Sequence, residues 1–470
     1  MPAGDATDAG APSAQPEAGV ASPSAARERE ALAWLFRFSD WERGVGWNAD
    51  AAPEEQWKLG RTRALLDLAG APDRELRIVH VAGTKGKGST VASLEAIVRA
   101  AGWRTATFTQ PHLHSYRERI GLDGQPIDPE PFAVGVDRLR GLVDRLAERH
   151  PEAGAPTTFE LTTVLAVLAA REAAADVLIA EVGLGGRLDA TNALHTDLAI
   201  VTKIGLDHRQ ILGNTLGEIA AEKVAIARPG QTLLSAVQSP PARAVIARHC
   251  GEVGARLRVV SPLRLRRGDR TGRHQRQNAA LAVAAAEELA GDGLPLTAEA
   301  VEEGLRSAWL PARLELVGLR PRLLIDAAHN VDSARALAAE LRGWPDRPLW
   351  LVLGILRDKD ARAILRVLLP LVDGVVVVTP TSPRALSAES LGAAIRSLSP
   401  VEVEQASSVV AALERARARA GRAGGVAVAG SFATASEARA ALGLADVVTA
   451  GARRAWLAGG GLERAGQAHP

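Results

Sequence analysis

A chain of 470 residues, 47% of them hydrophobic, exceeds one ordinary core, so two domains are the natural expectation. Its 56 basic and 54 acidic residues nearly cancel, which argues against a nucleic-acid binder held by bulk charge. The single cysteine, Cys250, excludes an internal disulfide and suits a reducing cytosol, and no apolar run approaches the roughly 20 residues of a membrane span.

The positive charge is unevenly written. Six residues are lysine (Lys58, Lys85, Lys87, Lys203, Lys223 and Lys359) and the other 50 basic residues are arginine. Lysine is a compact charge that becomes a nucleophile when neutral, and arginine cannot do this. Each retained lysine is therefore a candidate for chemistry, with chance a sufficient account of Lys58.

In chain order, residues 1–28 are rich in Ala, Gly, Pro and Ser without apolar periodicity and read as a disordered tail. Asp5, Asp8 and Glu17 precede the first basic residue, Arg27, so this stretch does not read as a signal peptide. A short helix is expected over Ala31 to Phe38. A loop follows from Asp40 to Pro53, its Trp41 and Trp47 read as packing residues. Leu76 to Val81 is an apolar run typical of a buried strand. Behind it come Gly83, Thr84, Lys85, Gly86, Lys87, Gly88, Ser89 and Thr90, and then Val91, Leu94, Val98 and Ala101 at helical spacing, closed by Gly102.

A glycine-rich loop joining a strand to a helix N-terminus turns backbone N–H groups inward and places the positive end of the helix dipole at the same spot. Lys87 can reach β- and γ-phosphates, and Ser89 or Thr90 can hold a magnesium ion. The alternative is a glycine-rich turn without a ligand. Helices are expected over Val134 to Ala147 and Thr158 to Ala174. Strands follow at Val177 to Ala180 and Leu198 to Val201. The alternation indicates a parallel sheet wrapped by helices, with functional loops at the C-terminal strand ends. The first of these strands delivers Glu181, and the second Asp207 and His208. Thr215 and Glu218 form a capping box opening a helix that carries Lys223 two turns in and that Pro229-Gly230 ends.

Gln277 to Leu289 is an Ala-rich helix, and Trp309-Leu310-Pro311 reads as a domain boundary. The strand pattern then restarts at Leu323, Leu349, Val375 and Val426, giving a second, smaller domain without its own phosphate loop. The expected fold is α/β with two domains, an N-terminal phosphate-loop ATPase domain over 29–310 and a Rossmann-like domain over 311–457, with a disordered tail over 458–470.

Taken together and in order, these motifs resemble folylpolyglutamate synthase/dihydrofolate synthase, within the Mur ligase superfamily of ATP-dependent amide-bond ligases. The segments that carry the resemblance are Gly83 to Ser89, Pro111-His112-Leu113 with Arg117-Glu118-Arg119, Glu181 through Asn192, Asp207-His208, Glu222-Lys223, Pro311 through Glu315, Asp326 through Asn330, and Asp358-Lys359-Asp360. The Gly185-to-Asn192 stretch is the most specific of them. The resemblance implies that L-glutamate is joined to a folate or to dihydropteroate by a cytoplasmic, monomeric enzyme that needs no nucleic acid or membrane.

It further implies that the loop holds the ATP phosphates and that Glu181 and His208 ligate magnesium, with two ions expected. Lys223 would be N-carboxylated beside the second ion, and Asn278, Arg313 and Asp326 would contact ATP, with His329 beside them as a catalytic candidate. Thr157, Thr158, Phe159 and Glu160, with Leu188, Asp189 and Ala190, would surround the pterin-bearing substrate. Two departures stand out: Lys85 where many members have Asn, and Gln110 where many have a magnesium-ligating serine. An amide oxygen can still bind magnesium.

Other readings of the same residues are structural: Glu181 as a helix cap, His208 as a polar loop residue, Asp326 and His329 as a hydrogen-bonded pair. Two other functions compete. One is a Mur-type ligase for cell-wall precursors, whose extra N-terminal domain has no room in the roughly 75 residues ahead of the loop. The other is a regulatory NTPase, which would leave Asp326, His329 and the sparing use of lysine unexplained.

Overall fold

The computed structural model describes residues 23–40, 58–264, 272–458 and 461. Trp41, Trp47, most of the expected tails and all of 265–271 lie outside these residues.

The chain builds two sheets. The first has eight strands: β1 (Arg77–Ala82), β2 (Thr105–Phe108), β3 (Ile120–Leu122), β4 (Gln125–Pro126), β5 (Val177–Glu181), β6 (Leu198–Val201), β7 (Thr232–Ala236) and β8 (Arg256–Val260), in the order β4-β3-β2-β5-β1-β6-β7-β8. β1 is buried from Ile78 onward and lies between β5 and β6. Val81 is level with Glu181, and Ala82 with Val201. This register brings three loops together at one end of the sheet: the glycine-rich loop, the one opened by Glu181, and the one leading to Asp207-His208. β3 and β4 run antiparallel to β2 as a terminal hairpin, so the sheet is mixed at this edge.

The second sheet has six strands: β9 (Glu315–Leu319), β10 (Arg322–Ile325), β11 (Leu349–Leu353), β12 (Gly374–Val378), β13 (Glu402–Ala406) and β14 (Gly425–Ala429), in the order β13-β12-β11-β14-β10-β9. Only β9 is antiparallel. Apolar clusters cover both faces of each sheet. We call the two units the first and second lobes. Among the described residues no helix is long and apolar enough to cross a membrane.

Several boundaries differ from those read off the sequence. The first helix runs Pro23–Leu35 and so begins inside the stretch expected to be disordered. Its first two turns are tied by ion pairs, Arg27 with Glu130 and Asp137, Arg117 with Glu28, and Arg140 with Glu30, while Ala31, Leu32, Trp34 and Leu35 pack on the core further along. An apolar periodicity cannot report such a start. The helix carrying Lys223 spans Leu216–Val224 and stops five residues before Pro229. The strands that escaped notice include β7, five buried residues inside the sheet, and several short or marginal ones. β2 has four residues, and the edge strands β8 (RLRVV) and β13 (EVEQA) expose their charges instead of burying an apolar run.

One close packing contact lies just ahead of the lobe junction. The helix Ala298–Ser307, which leads into Trp309-Leu310-Pro311, crosses the helix Lys87–Ala100 at Gly304. A Cβ on Gly304 would stand 2.4 Å from Ile97 Cα, so only glycine permits this approach.

Candidate active site

The helix Lys87–Ala100 starts at Gly86, which holds φ +92°. A Cβ there would meet Asn278 Oδ1 at 2.2 Å, so the turn needs glycine for both its backbone and its space. The Thr84 and Lys85 N–H groups donate to the Lys203 carbonyl at 3.0 and 3.1 Å, which pins the base of the loop to the strand-end segment after β6. The amides of Lys87, Gly88 and Ser89 fall in the first helical turn, where no intrahelical acceptor exists. Together with the helix dipole they form an anion cradle. Ser89 lines the cleft between the lobes. Thr90 instead is fully buried, its N–H closing onto the Gly86 carbonyl and its hydroxyl lacking a partner among the described residues.

The cleft has a volume of about 2280 Å³, and five of the six lysines line it; Lys58 does not. Lys87 Nζ is 3.5 Å from Glu181 Oε1, and the Gln110 N–H donates to Glu181 Oε2 at 3.3 Å. Burial pushes the Glu181 carboxyl up, against the pull of Lys87. Lys85 Nζ pairs with Asp207 Oδ2 at 2.8 Å, and the same oxygen accepts from Asn330 Nδ2 of the second lobe at 3.2 Å. Burial lowers the Lys85 ammonium despite that pair. Burial opposes ionisation of Asp207, but Lys85 and the other nearby cations outweigh it and hold this carboxyl well below the usual range.

His208 sits in the left-handed region at φ +48°, its N–H donating to Asp207 Oδ1 at 3.1 Å. Burial, with the surrounding lysines and against the pull of Asp207, pushes its imidazole down to about 4, so it is neutral at pH 7. Lys223 is 5% exposed, with Nζ 3.4 Å from the Gly185 carbonyl. Burial first, and the Lys87 charge second, push this amine down to about 7.

The second lobe faces this constellation with groups already held. Arg313 lies over the Phe432 ring, 4.8 Å to its centroid, and is near enough to Glu181 to draw its carboxyl down. Asp326 Oδ2 accepts the Leu314 N–H at 2.7 Å, which fixes the turn carrying Arg313. Burial pushes Asp326 up to about 6, with Arg313 opposing. His329 Nδ1 lies 2.8 Å from the Ala327 carbonyl; since a carbonyl only accepts, Nδ1 carries the proton and Nε2 is left as the acceptor. Burial and the Lys85 and Arg313 charges push this imidazole down to about 3, so it stays neutral in the working range.

Residues 312–432 match the Mur ligase, glutamate ligase domain family. A dihydrofolate synthase/folylpolyglutamate synthase of Bacillus subtilis is 35% identical over 361 residues, which span 71% of this chain and 83% of the relative. The chain belongs to the dihydrofolate synthase/folylpolyglutamate synthase family. Its solved relatives agree over almost the whole fold. The folylpolyglutamate synthase of Mycobacterium tuberculosis complexed with ADP and AMPPCP has a TM-score of 0.79 at 31% identity, covering 89% of this chain and 98% of that one. A bifunctional folylpolyglutamate synthase/dihydrofolate synthase with Mn, AMPPNP and L-glutamate bound has a TM-score of 0.73 at 31% identity, covering 88% and 98%.

For a folylpolyglutamate synthase family member, the remaining expected residues separate by what they already bond. Phe159 lines the cleft beside Phe108, centroids 5.7 Å apart, and offers a flat face. Thr157, Leu188 and Ala190 line the cleft too. Thr158 does not: its hydroxyl donates to the Leu35 and Phe38 carbonyls and ties down the N-terminal helix. Glu160 receives Arg61 at 2.7 and 2.8 Å and the Thr157 N–H at 2.7 Å. Asp189 accepts the Leu184 N–H at 2.9 Å and the Thr191 N–H at 3.1 Å. Both carboxylates are engaged in holding the cleft wall.

Reading the sequence did not find Arg61 or the Lys85–Asp207 pair, and it placed Asn330 and Lys359 in motifs without giving either a role. Lys359 lines the cleft and raises the local potential felt by Asp207, His208 and His329. The residues fit a nucleotide with a divalent cation: a glycine cradle a Cβ would fill, Lys87 against the buried Glu181 and Lys85 against Asp207, and a neutral imidazole. Among the described residues no three His, Cys, Asp or Glu side chains gather, and the expected ligands Ser89, Gln110, Glu181 and His208 all line the cleft.

Proposed function

We infer that the protein is an ATP-dependent ligase that joins L-glutamate through an amide bond to a folate, and to dihydropteroate where both activities are present. The observation that carries this reading is the one cleft onto which Lys87, Glu181 and His208 of the first lobe and Arg313, Asp326 and His329 of the second all open. The names of the relatives, and the L-glutamate and AMPPNP bound to one of them, support the substrate set.

The acceptor's carboxylate attacks the γ-phosphorus of ATP, the bond to the β-phosphate bridging oxygen breaks, and ADP leaves. The product is an acyl phosphate. The neutral amine of glutamate adds to its carbonyl carbon, and phosphate departs with the bonding pair and takes up the surplus amine proton. Phosphoryl transfer asks a protein for alignment and charge neutralisation more than for a nucleophile. Lys87 and the loop amides answer the charge on the phosphates. Asn278, Arg313 and Asp326 orient the nucleotide from the lobe junction, and neutral His329 accepts a hydrogen bond there. Phe159, Thr157, Leu188 and Ala190 form the wall for the pterin, braced by Glu160 and Asp189.

Divalent cations, when bound, withdraw charge from the phosphate oxygens. The proposed ligands are Ser89, Glu181, His208 and Gln110, with two ions in all. A carbamate on Lys223 would supply the second anionic donor this set lacks. Its formation needs a neutral amine, and burial favours one. The working division is 29–310 and 311–457, in a monomer whose buried Cys250 stays reduced in the cytoplasm.

The test is purified protein with ATP, magnesium, radiolabelled glutamate and a panel of pteroates and folates. ADP release that depends on both glutamate and a pterin substrate is expected. ADP release indifferent to glutamate would count against the ligase.

A further inference from the structure

Between β2 and β3 the chain leaves the first lobe, touches the second and returns. Its near anchor is Gln110, whose N–H donates to Glu181 Oε2 at 3.3 Å and whose amide nitrogen donates to the Glu181 carbonyl at 3.4 Å. Its far anchor lies on the helix Phe432–Ala441. There the Ser436 hydroxyl donates to the Leu113 carbonyl at 2.7 Å and lies 3.3 Å from His114 Nδ1. Arg439 Nε approaches His114 Nε2 at 3.4 Å. Arg439 is itself fully buried, bonded to Glu315 and to the Leu444 and Val447 carbonyls, so it does not yield. Leu113 packs into the second lobe's core alongside Trp309 and Phe432.

What joins the two anchors is stiff. Glu118 accepts three consecutive backbone N–H groups, those of Leu113, His114 and Ser115, at 2.8, 2.8 and 2.7 Å. Hydrogen bonds to an ionised acceptor are roughly twice as strong as neutral ones, and three on one carboxylate fix the curvature of the segment. Arg119 Nε donates to His112 Nδ1 at 3.0 Å and ties down its middle. A segment clamped at both ends and braced between them transmits displacement instead of absorbing it. Its near end meets the carboxylate that Lys87 faces at 3.5 Å.

We propose that residues 110–115 form a strap through which the second lobe sets the position of Glu181 beside the phosphate loop. Glu118 and Ser436 are then positioning residues for the ligation reaction. This rests on the function proposed above only for what the positioned site does. If the strap merely glued the lobes together, losing Ser436 would lower stability and leave turnover and local exchange in the folded protein unchanged.

The experiment compares full-length wild type with Ser436→Ala, Ser436→Thr and Glu118→Gln. It uses steady-state kinetics and hydrogen–deuterium exchange of peptides covering 110–119, with and without AMPPNP and magnesium. Ser436→Ala should lower kcat about fivefold, the scale of one lost neutral hydrogen bond, and leave the KM for ATP unchanged. It should also speed exchange at 112–118, and Ser436→Thr should restore both. Glu118→Gln should shift both readouts in the same direction and further. Wild-type turnover in Ser436→Ala, or a fall in turnover with unchanged exchange, overturns the strap. Wild-type protein that releases no ADP on adding glutamate and a folate would defeat the functional reading instead, and the exchange arm would still decide the strap.

Discussion

The two lobes present the same kind of surface, the C-terminal ends of parallel strands, and furnish it in opposite ways. The first lobe offers first-turn amides without an intrahelical acceptor and compact ammonium groups held by carboxylates, as Lys85 is by Asp207 and Lys87 by Glu181. The second offers Arg313, Asp326 and His329, each already engaged by a ring or a backbone group: Phe432, the Leu314 N–H and the Ala327 carbonyl. One side supplies charge for a ligand that arrives and departs, and the other supplies orientation. Substitutions in the first lobe should therefore damage chemistry at little structural cost, whereas those in the second should register in the stability of the fold as well.

The sharpest break of that contrast is Lys87→Ala. It should lower kcat/KM by about a thousandfold or more, in the range of losing a preorganised charge partner for the transition state. Circular dichroism and the melting temperature should stay near wild type. Near-normal turnover in this variant would remove the phosphate loop from the mechanism.

Next is Lys223. Both Lys223→Ala and Lys223→Arg should lose about a hundredfold in activity. Short carboxylates such as acetate should partly rescue the alanine variant only, and gently handled wild type should carry one extra carbon dioxide on Lys223 by mass. Full activity in Lys223→Arg would refute the carbamate.

A smaller effect is expected at Gln110, whose amide oxygen lies 3.1 Å from where a Gly183 Cβ would stand. Gln110→Ala should raise the half-saturating magnesium about tenfold, and Gln110→Ser should reverse this. Identical magnesium curves for all three proteins would exclude it as a ligand.

The mildest outcome tests the second lobe. Burial pushes the Asp326 carboxyl up to about 6 from its ordinary 3.8, so the folded state holds the proton more tightly. Its contribution to stability is present below 3.8 and is lost as pH rises through 6. Asp326→Asn should therefore gain on the order of 2 kcal/mol relative to wild type between pH 4 and pH 7 in urea titrations. A pH-independent difference would show that the carboxyl is not the cause.

What the sequence disclosed was mostly local. The phosphate loop, the Thr215–Glu218 box and the polar residues ending β5 and β6 are patterns within a few positions, and all of them form. Pairings across long separations stayed hidden. Glu160 reads as a substrate residue until Arg61, 99 residues away, is seen to occupy it. Thr158 reads the same way until its hydroxyl is seen bonded to Leu35 and Phe38. Ser436 and Leu113 lie 323 residues apart, and a serine on a helix carries no mark of such a contact. The sparing use of lysine was the exception, a compositional signal that pointed to the cleft because it depends on chemistry and not on neighbours.

The glycine at 304 gives the molecule a gauge. The helix it lies on is pressed backbone to backbone against the phosphate-loop helix and runs straight into the lobe junction. The spacing between nucleotide cradle and junction is thus set by the thickness of two bare main chains. A methyl group there would act as a shim, tilting everything beyond Trp309 outward and leaving every polar residue of the cleft present but out of reach of its opposite number.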